Sequence, residues 1–137
     1  MKPSHHMRAH QHLSYEIRHS ERLLDPDDSS LLEFGSTDRR VVIMDGGLPA
    51  QWVAGFHAYF EARSVRLDEI RVPGGESAKS WDVLGSILSS LAVAHVARRE
   101  DPVLVVGGGA VLDVGGLAAS LFRRGVTYIR GPTPLPA

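Results

Sequence analysis

No cysteine occurs in the 137 residues, so disulfides, thiolate nucleophiles and cysteine-held zinc are all excluded. An excess of charge of either sign is missing too. Fifteen Lys and Arg stand against 16 Asp and Glu, a formal net charge of -1. That balance gives no electrostatic case for nucleic acid or an anionic membrane surface as a partner. No apolar run approaches the length that spans a bilayer, and the first residues lack the apolar stretch of a secretory leader. A cytoplasmic protein without membrane contact is therefore expected. What is present is ordinary for a globular chain: 43% hydrophobic and 23% charged residues, in a length that suits one domain with its own core.

The most informative stretch is Asp101-Pro102-Val103-Leu104-Val105-Val106-Gly107-Gly108-Gly109-Ala110-Val111-Leu112-Asp113. Four consecutive apolar residues, three of them valine, suit a strand buried on both faces. Three glycines then allow a sharp turn whose N–H groups can approach a ligand with no Cβ in the way. A helix over 110–124 points its positive end at the same place, which suits an anion such as a pyrophosphate. Strand, glycine turn and helix make a phosphate cradle. The alternative is a glycine-rich connection between two packed elements.

Before this stretch, residues 1–12 carry four of the seven histidines on a polar, proline-containing segment. They read as a flexible tail, with no metal site. The alternation of Leu13, Tyr15 and Ile17 with Ser14, Glu16 and Arg18 predicts a half-exposed strand over 13–18. A loop follows over 24–38, with one short helical turn at Ser30–Phe34. Val41–Met44 reads as a second buried strand, ended by Asp45-Gly46-Gly47. A helix is expected from Pro49 to Ala62 with Trp52, Val53, Phe56, Tyr59 and Phe60 on one face. His57 beside that face reads as a packing or solvent-facing side chain. Val65–Val72 gives a third strand, broken by Pro73-Gly74-Gly75. A helix over Ser77–Ala97 is capped by Ser77 or Ser80. A last strand is expected at Val126–Arg130.

Strands that alternate with helices imply right-handed crossovers. The fold class is α/β, a Rossmann-like, mainly parallel sheet with helices on both faces, formed by residues 13–137. In such sheets the ligand crevice lies beyond the carboxyl ends of the strands, and here the glycine turns gather at those ends. One segment fits an isolated domain poorly. Val111, Leu112, Val114, Leu117, Ala118, Leu121 and Phe122 wrap most of the circumference of their helix. A helix apolar nearly all round must be covered on its outer side. A second subunit or a further domain is therefore expected.

Pro73-Gly74-Gly75-Glu76-Ser77-Ala78-Lys79, Gly107–Asp113, Arg124-Gly125 and Pro132-Thr133 stand in the order and spacing of the dehydroquinate synthase-like sugar phosphate cyclases, which the chain resembles over residues 13–137. Arg99–Leu104 and Ala119–Arg130 are more similar to the 2-epi-5-epi-valiolone synthases among them. The match is to the N-terminal, NAD-binding part alone. The resemblance implies a lyase that transiently oxidises a substrate hydroxyl with NAD, eliminates phosphate and closes a carbocycle. The implied substrate is sedoheptulose 7-phosphate, or a seven-carbon acidic sugar phosphate for a dehydroquinate synthase.

By the same resemblance, Gly107, Gly108 and Gly109 hold the NAD pyrophosphate, and Asp113, taken to lie in the first helical turn, faces the nicotinamide side. Asp45 meets the adenosine ribose, Glu76 and Lys79 contact the cofactor, Thr133 belongs to a cofactor loop, and Arg124 reaches substrate phosphate, often across a dimer interface. Simpler roles stand beside these. Asp45 suits a turn before Gly-Gly, Glu76 and Lys79 suit an exposed i,i+3 ion pair, and Asp113 suits the positive end of a helix. Pro134 replaces the second threonine of the family loop, and Pro136 interrupts it. The family's divalent metal (Zn or Co), its ligands and its catalytic lysines have no match here. The chain is thus expected to hold no catalytic or metal-binding residue. It would act only with a separate C-terminal half, as a homo- or hetero-oligomer. The other readings are a non-catalytic binding partner, the N-terminal domain of a dehydroquinate synthase, and a glycerol dehydrogenase-like protein.

Overall fold

A computed structural model of the chain describes residues 1–133. Four strands and three helices alternate: β1 (Arg39–Asp45), α1 (Ala50–Ala62), β2 (Arg66–Val72), α2 (Trp81–Val93), β3 (Val103–Gly107), α3 (Gly109–Leu121) and β4 (Tyr128–Pro132). The sheet is wholly parallel in the order β2-β1-β3-β4. The expected α/β class holds.

The unbroken apolar runs of β1 and β3 follow from burial on both sides. Val41, Ile43, Val103 and Val105 face α2 and α3, while Val42, Met44, Leu104 and Val106 face α1 and Leu31–Leu32. Each such side chain stabilises the fold by roughly 1.5–3 kcal/mol. Phe56, Tyr59 and Phe60 anchor α1, while Trp52, expected on the same face, is only partly covered, 40% exposed. His57 is exposed and lies 2.7 Å from Glu69. At the opposite end of the sheet, Arg39 donates to Asp101 at 2.5 Å and to the Ala94 carbonyl. Asp101 also accepts from the Ala97 N–H at 2.9 Å.

Several expectations need correction. Residues 13–18 form no strand, and Leu13, Tyr15 and Ile17 are 80–86% exposed. Alternation supplies a face but no hydrogen-bonding partner, and a strand needs both. No helix forms at Ser30–Phe34, where the chain only turns. α2 begins at Trp81 because Glu76–Ala78 is a separate 3₁₀ turn. Ser80, not Ser77, is the cap, its Oγ accepting from the Val83 N–H at 3.1 Å. α2 also stops at Val93, soon followed by His95 at φ 51°. α3 stops at Leu121, before a 3₁₀ turn over Phe122–Arg124. Val126 lies outside β4, buried, with its N–H donating to the Ala119 carbonyl at 2.8 Å.

Candidate functional site

The strand order departs in opposite directions from the boundary between β1 and β3. In sheets of this kind the ligand crevice lies at that point, on the carboxyl edge. The turns after β1 and β3 meet at this point, and their meeting place is the carboxylate of Asp45. Its Oδ1 accepts the Gly47 N–H at 2.7 Å and its Oδ2 the Gly108 N–H at 3.3 Å. A Cβ on Gly107 would stand 2.7 Å from the Asp45 Cβ, and one on Gly74 would overlap Oδ1. Glycine is therefore required by close approach at the ends of β2 and β3 alike. The turn-forming role of Asp45 is realised. Each carboxylate oxygen carries a further lone pair, so both remain able to accept from a ligand hydroxyl.

Gly108 caps α3 and Gly109 opens it. Gly109 is exposed, with nothing within 4 Å of the position a Cβ would take. The N–H groups of this first turn have no carbonyl partner within the helix, and they carry its partial positive charge. Bare donors beside open space are what a pyrophosphate needs. Thr133 is brought to the same edge by the hydrogen bond from its N–H to the Gly107 carbonyl, 3.0 Å. Pro134 and Pro136 lie outside the described residues.

Glu76, Lys79 and Asp113 form a second group. Lys79 Nζ stands 3.8 Å from Glu76 Oε2 and 3.4 Å from Asp113 Oδ2. The expected i,i+3 pair is present, but Lys79 also reaches across to α3, a contact that spacing along the chain could not reveal. Asp113 lies in the second turn of α3, since the first turn, starting at Gly109, holds no acidic residue. Below this group Trp81, Leu84, Val114 and Leu117 line a notch of about 250 Å³.

Arg124 is not brought to the site. It is exposed at the far end of α3, at φ 65°, beside Arg123 at φ 47°. A helix of this length rises about 20 Å, so Arg124 stands at the opposite pole of the domain. A larger open depression of about 900 Å³, lined by Arg39, Asp68, Ser86, Ser90 and His95 among others, shares no residue with the glycine turns. Among the described residues no group of three or more His, Cys, Asp or Glu could hold a metal ion. None of their helices is long and apolar enough to cross a membrane.

Comparison with known proteins places this geometry. The family model described as 3-dehydroquinate synthase N-terminal matches residues 69–137. A 2-epi-5-epi-valiolone synthase of an Actinoplanes species is 35% identical over 133 residues, covering 94% of this chain and 33% of the relative. The solved structure of ValA, the 2-epi-5-epi-valiolone synthase of Streptomyces hygroscopicus with NAD+ and Zn2+ bound, superposes with a TM-score of 0.84 at 29% identity. It covers 93% of this chain and 34% of that one. A 2-deoxy-scyllo-inosose synthase complexed with carbaglucose-6-phosphate, NAD+ and Co2+ gives a TM-score of 0.61 at 29% identity, over 70% of this chain and 26% of that one. The chain thus spans about a third of the length of the curated relatives it matches. Joined by a family model over half of its length and by relatives similar over nearly all of it, the chain belongs to the 3-dehydroquinate synthase N-terminal family.

Proposed function

We propose that this chain is the NAD-binding part of a sugar phosphate cyclase of the 2-epi-5-epi-valiolone synthase kind, which converts sedoheptulose 7-phosphate to a carbocycle with release of phosphate when a C-terminal half is supplied. The observation that carries the reading is the open glycine turn at the β1/β3 boundary, with unpaired first-turn donors beside the Asp45 carboxylate. Two of the matched solved structures hold NAD+. The residues of this chain fit that cofactor.

When bound, NAD supplies a reversible hydride acceptor. The N–H groups at the start of α3 would bind its pyrophosphate oxygens, and Thr133 would border them. Asp45 would accept from ribose hydroxyls through its remaining lone pairs. Lys79 draws Asp113 and Glu76 toward one position, so the three would act as one charged rim on the nicotinamide side. Among the described residues no group fits a divalent metal. Metal ligands would come from the C-terminal half. Arg124, at the other pole, would meet the substrate phosphate of a neighbouring copy, where a guanidinium fork suits phosphate oxygens.

Calorimetric titration of the chain with NAD tests the reading. Saturable binding is expected, with no phosphate released from sedoheptulose 7-phosphate by the chain alone and release once a C-terminal cyclase half is added. Release only from a seven-carbon acidic sugar phosphate would move the assignment to a dehydroquinate synthase. Absence of NAD binding would remove the cofactor role.

A further inference from the structure

β1 carries a buried charge that the glycine turns do not use. Successive residues of a strand point to opposite faces, so Arg40 shares the α1 side of the sheet with Val42 and Met44, and it is 1% exposed. Its Nη2 donates to the Phe34 carbonyl at 2.9 Å. Its Nε and Nη1 have no partner among the described residues, and both are shut off from water. The nearby carboxylates are committed elsewhere. Asp101 accepts from Arg39 at 2.5 Å and from the Ala97 N–H at 2.9 Å, and Asp68 also lies beside Arg39. Burial holds the Arg40 guanidinium below the usual arginine range, yet an arginine keeps its proton inside a protein. A whole positive charge thus rests on one neutral carbonyl, an arrangement that is costly without compensation.

Residues 20–36 run over this side of the sheet with neither strand nor helix. Leu31 and Leu32 are buried in the same cluster as Val42 and Leu104, and Leu23 and Leu24 pack against it. The segment is held largely by its own carbonyls. Tyr59 Oη donates to the Asp28 carbonyl at 2.5 Å, Arg63 Nη1 to the Pro26 carbonyl at 2.8 Å, and Arg40 to Phe34. Two of these anchors differ in balance. The Tyr59 phenol has one hydrogen to donate and donates it, whereas the Arg40 fork has five and leaves two nitrogens unpaired. We infer that residues 20–36 form a strap that lifts off the α1 side as a unit while the parallel sheet stays folded, and that the buried Arg40 guanidinium drives it toward opening. Lifting returns every N–H of the guanidinium to water and breaks no sheet ladder. Segments held by few contacts open ahead of the whole domain. The open state bares the sheet face that Leu31 and Leu32 cover. Arg40 and Asp45 belong to opposite ends of β1, so the strap opens without disturbing the glycine turns, and the inference stands apart from the function proposed above.

Hydrogen exchange of the full chain, read peptide by peptide in a mass spectrometer, tests this. In the parent, residues 20–36 should exchange at least about tenfold faster than residues 103–107 of β3. Arg40→Met keeps a long side chain and removes the charge, so it should slow exchange of 20–36 roughly tenfold, because an apolar replacement of an uncompensated buried ion is stabilising. Tyr59→Phe removes one anchor and should speed the same peptides by about as much. Opposite signs at two side chains that both bond strap carbonyls are the signature. A merely structural contact at Arg40 would make both variants exchange faster. The inference is overturned if Arg40→Met exchanges as the parent does or faster, or no longer folds, since the charge then holds the strap closed. It is equally overturned if Arg40→Met slows 20–36 and 103–107 by the same factor, which is a gain for the whole domain, or if Tyr59→Phe leaves the strap unchanged. Exchange of 20–36 no faster than of 103–107 in the parent would likewise end it.

Discussion

At Gly107 and Gly109, two positions apart, one glycine serves packing and the other access. A Cβ on Gly107 would press on Asp45 and, at 3.0 Å, on the Val111 Cβ, both in buried or semi-buried surroundings. Gly107→Ala is therefore expected to lower stability by about 1–3 kcal/mol, read as a fall in Tm. A side chain at 109 meets nothing within the chain. Gly109→Leu should keep Tm near that of the parent yet weaken NAD at least tenfold by covering the donors, as calorimetry would show. Equal effects of the two substitutions on stability would contradict this division. The run of three glycines was legible as a turn from sequence alone. Which of them faces the crevice was not, because that depends on Asp45, 62 residues earlier than Gly107, folding against the turn. Asp45 itself was legible as a turn-former before Gly-Gly. Its part as the meeting point of three turns could be suspected only from glycines recurring after β1, β2 and β3.

Among the elements, the buried strands were the easiest to read and the exposed segments the hardest. β1 and β3 are apolar on both faces, so their continuous runs mark them as buried strands with no alternation to interpret. Residues 13–18 have a convincing alternation and still form no strand, because pairing is a property of two segments and the sequence displays only one. The start of α2 shifted for a local reason: Ser77 donates its hydroxyl to the Gly74 carbonyl at 3.0 Å, within the turn, and leaves capping to Ser80. The amino-terminal ends of β1 and β3 hold the clearest pH-sensitive contact of the sheet. Burial pushes the Asp101 carboxyl up, but hydrogen bonds from Arg39 and the Ala97 N–H outweigh it and hold the group below its ordinary value of 3.8. A carboxyl depressed in the folded state adds stability that is complete above its unfolded value and is lost as pH falls through its folded value. The chain should therefore lose stability progressively below about pH 4. Asp101→Asn should flatten that acid limb and lower stability near neutrality, as denaturant titrations from pH 2 to 7 would show. An unchanged acid limb in the variant would assign the pH dependence to other carboxylates. Asp28 is the nearest candidate, pulled down to about 2 by hydrogen bonds from Ser20 and Ser30.

On the scale of the whole molecule, the helices that run antiparallel to the strands separate two kinds of chemistry. The glycine turns, Asp45, Thr133 and the Lys79 group occupy the carboxyl edge of the sheet, while Arg124 stands a helix length away. Arg124→Ala should accordingly leave NAD affinity of the chain within about twofold of the parent, by the same titration. A tenfold loss would show that the two poles communicate. Family motifs made Arg124 visible in the sequence, but no motif states at which end of a domain its residue will stand. The remaining consequence lies in the two outer strands. β2, at one flank, offers a passing strand four charged residues in seven: Arg66, Asp68, Glu69 and Arg71. β4, at the other, carries Arg130 alone in a stretch of five. Charges and proline on a bare edge discourage unplanned pairing, so the β2 margin is fenced by charge and the β4 margin by Arg130 and by Pro132 at its end. A further strand would meet fewer charges beside Tyr128 and Ile129 than along β2.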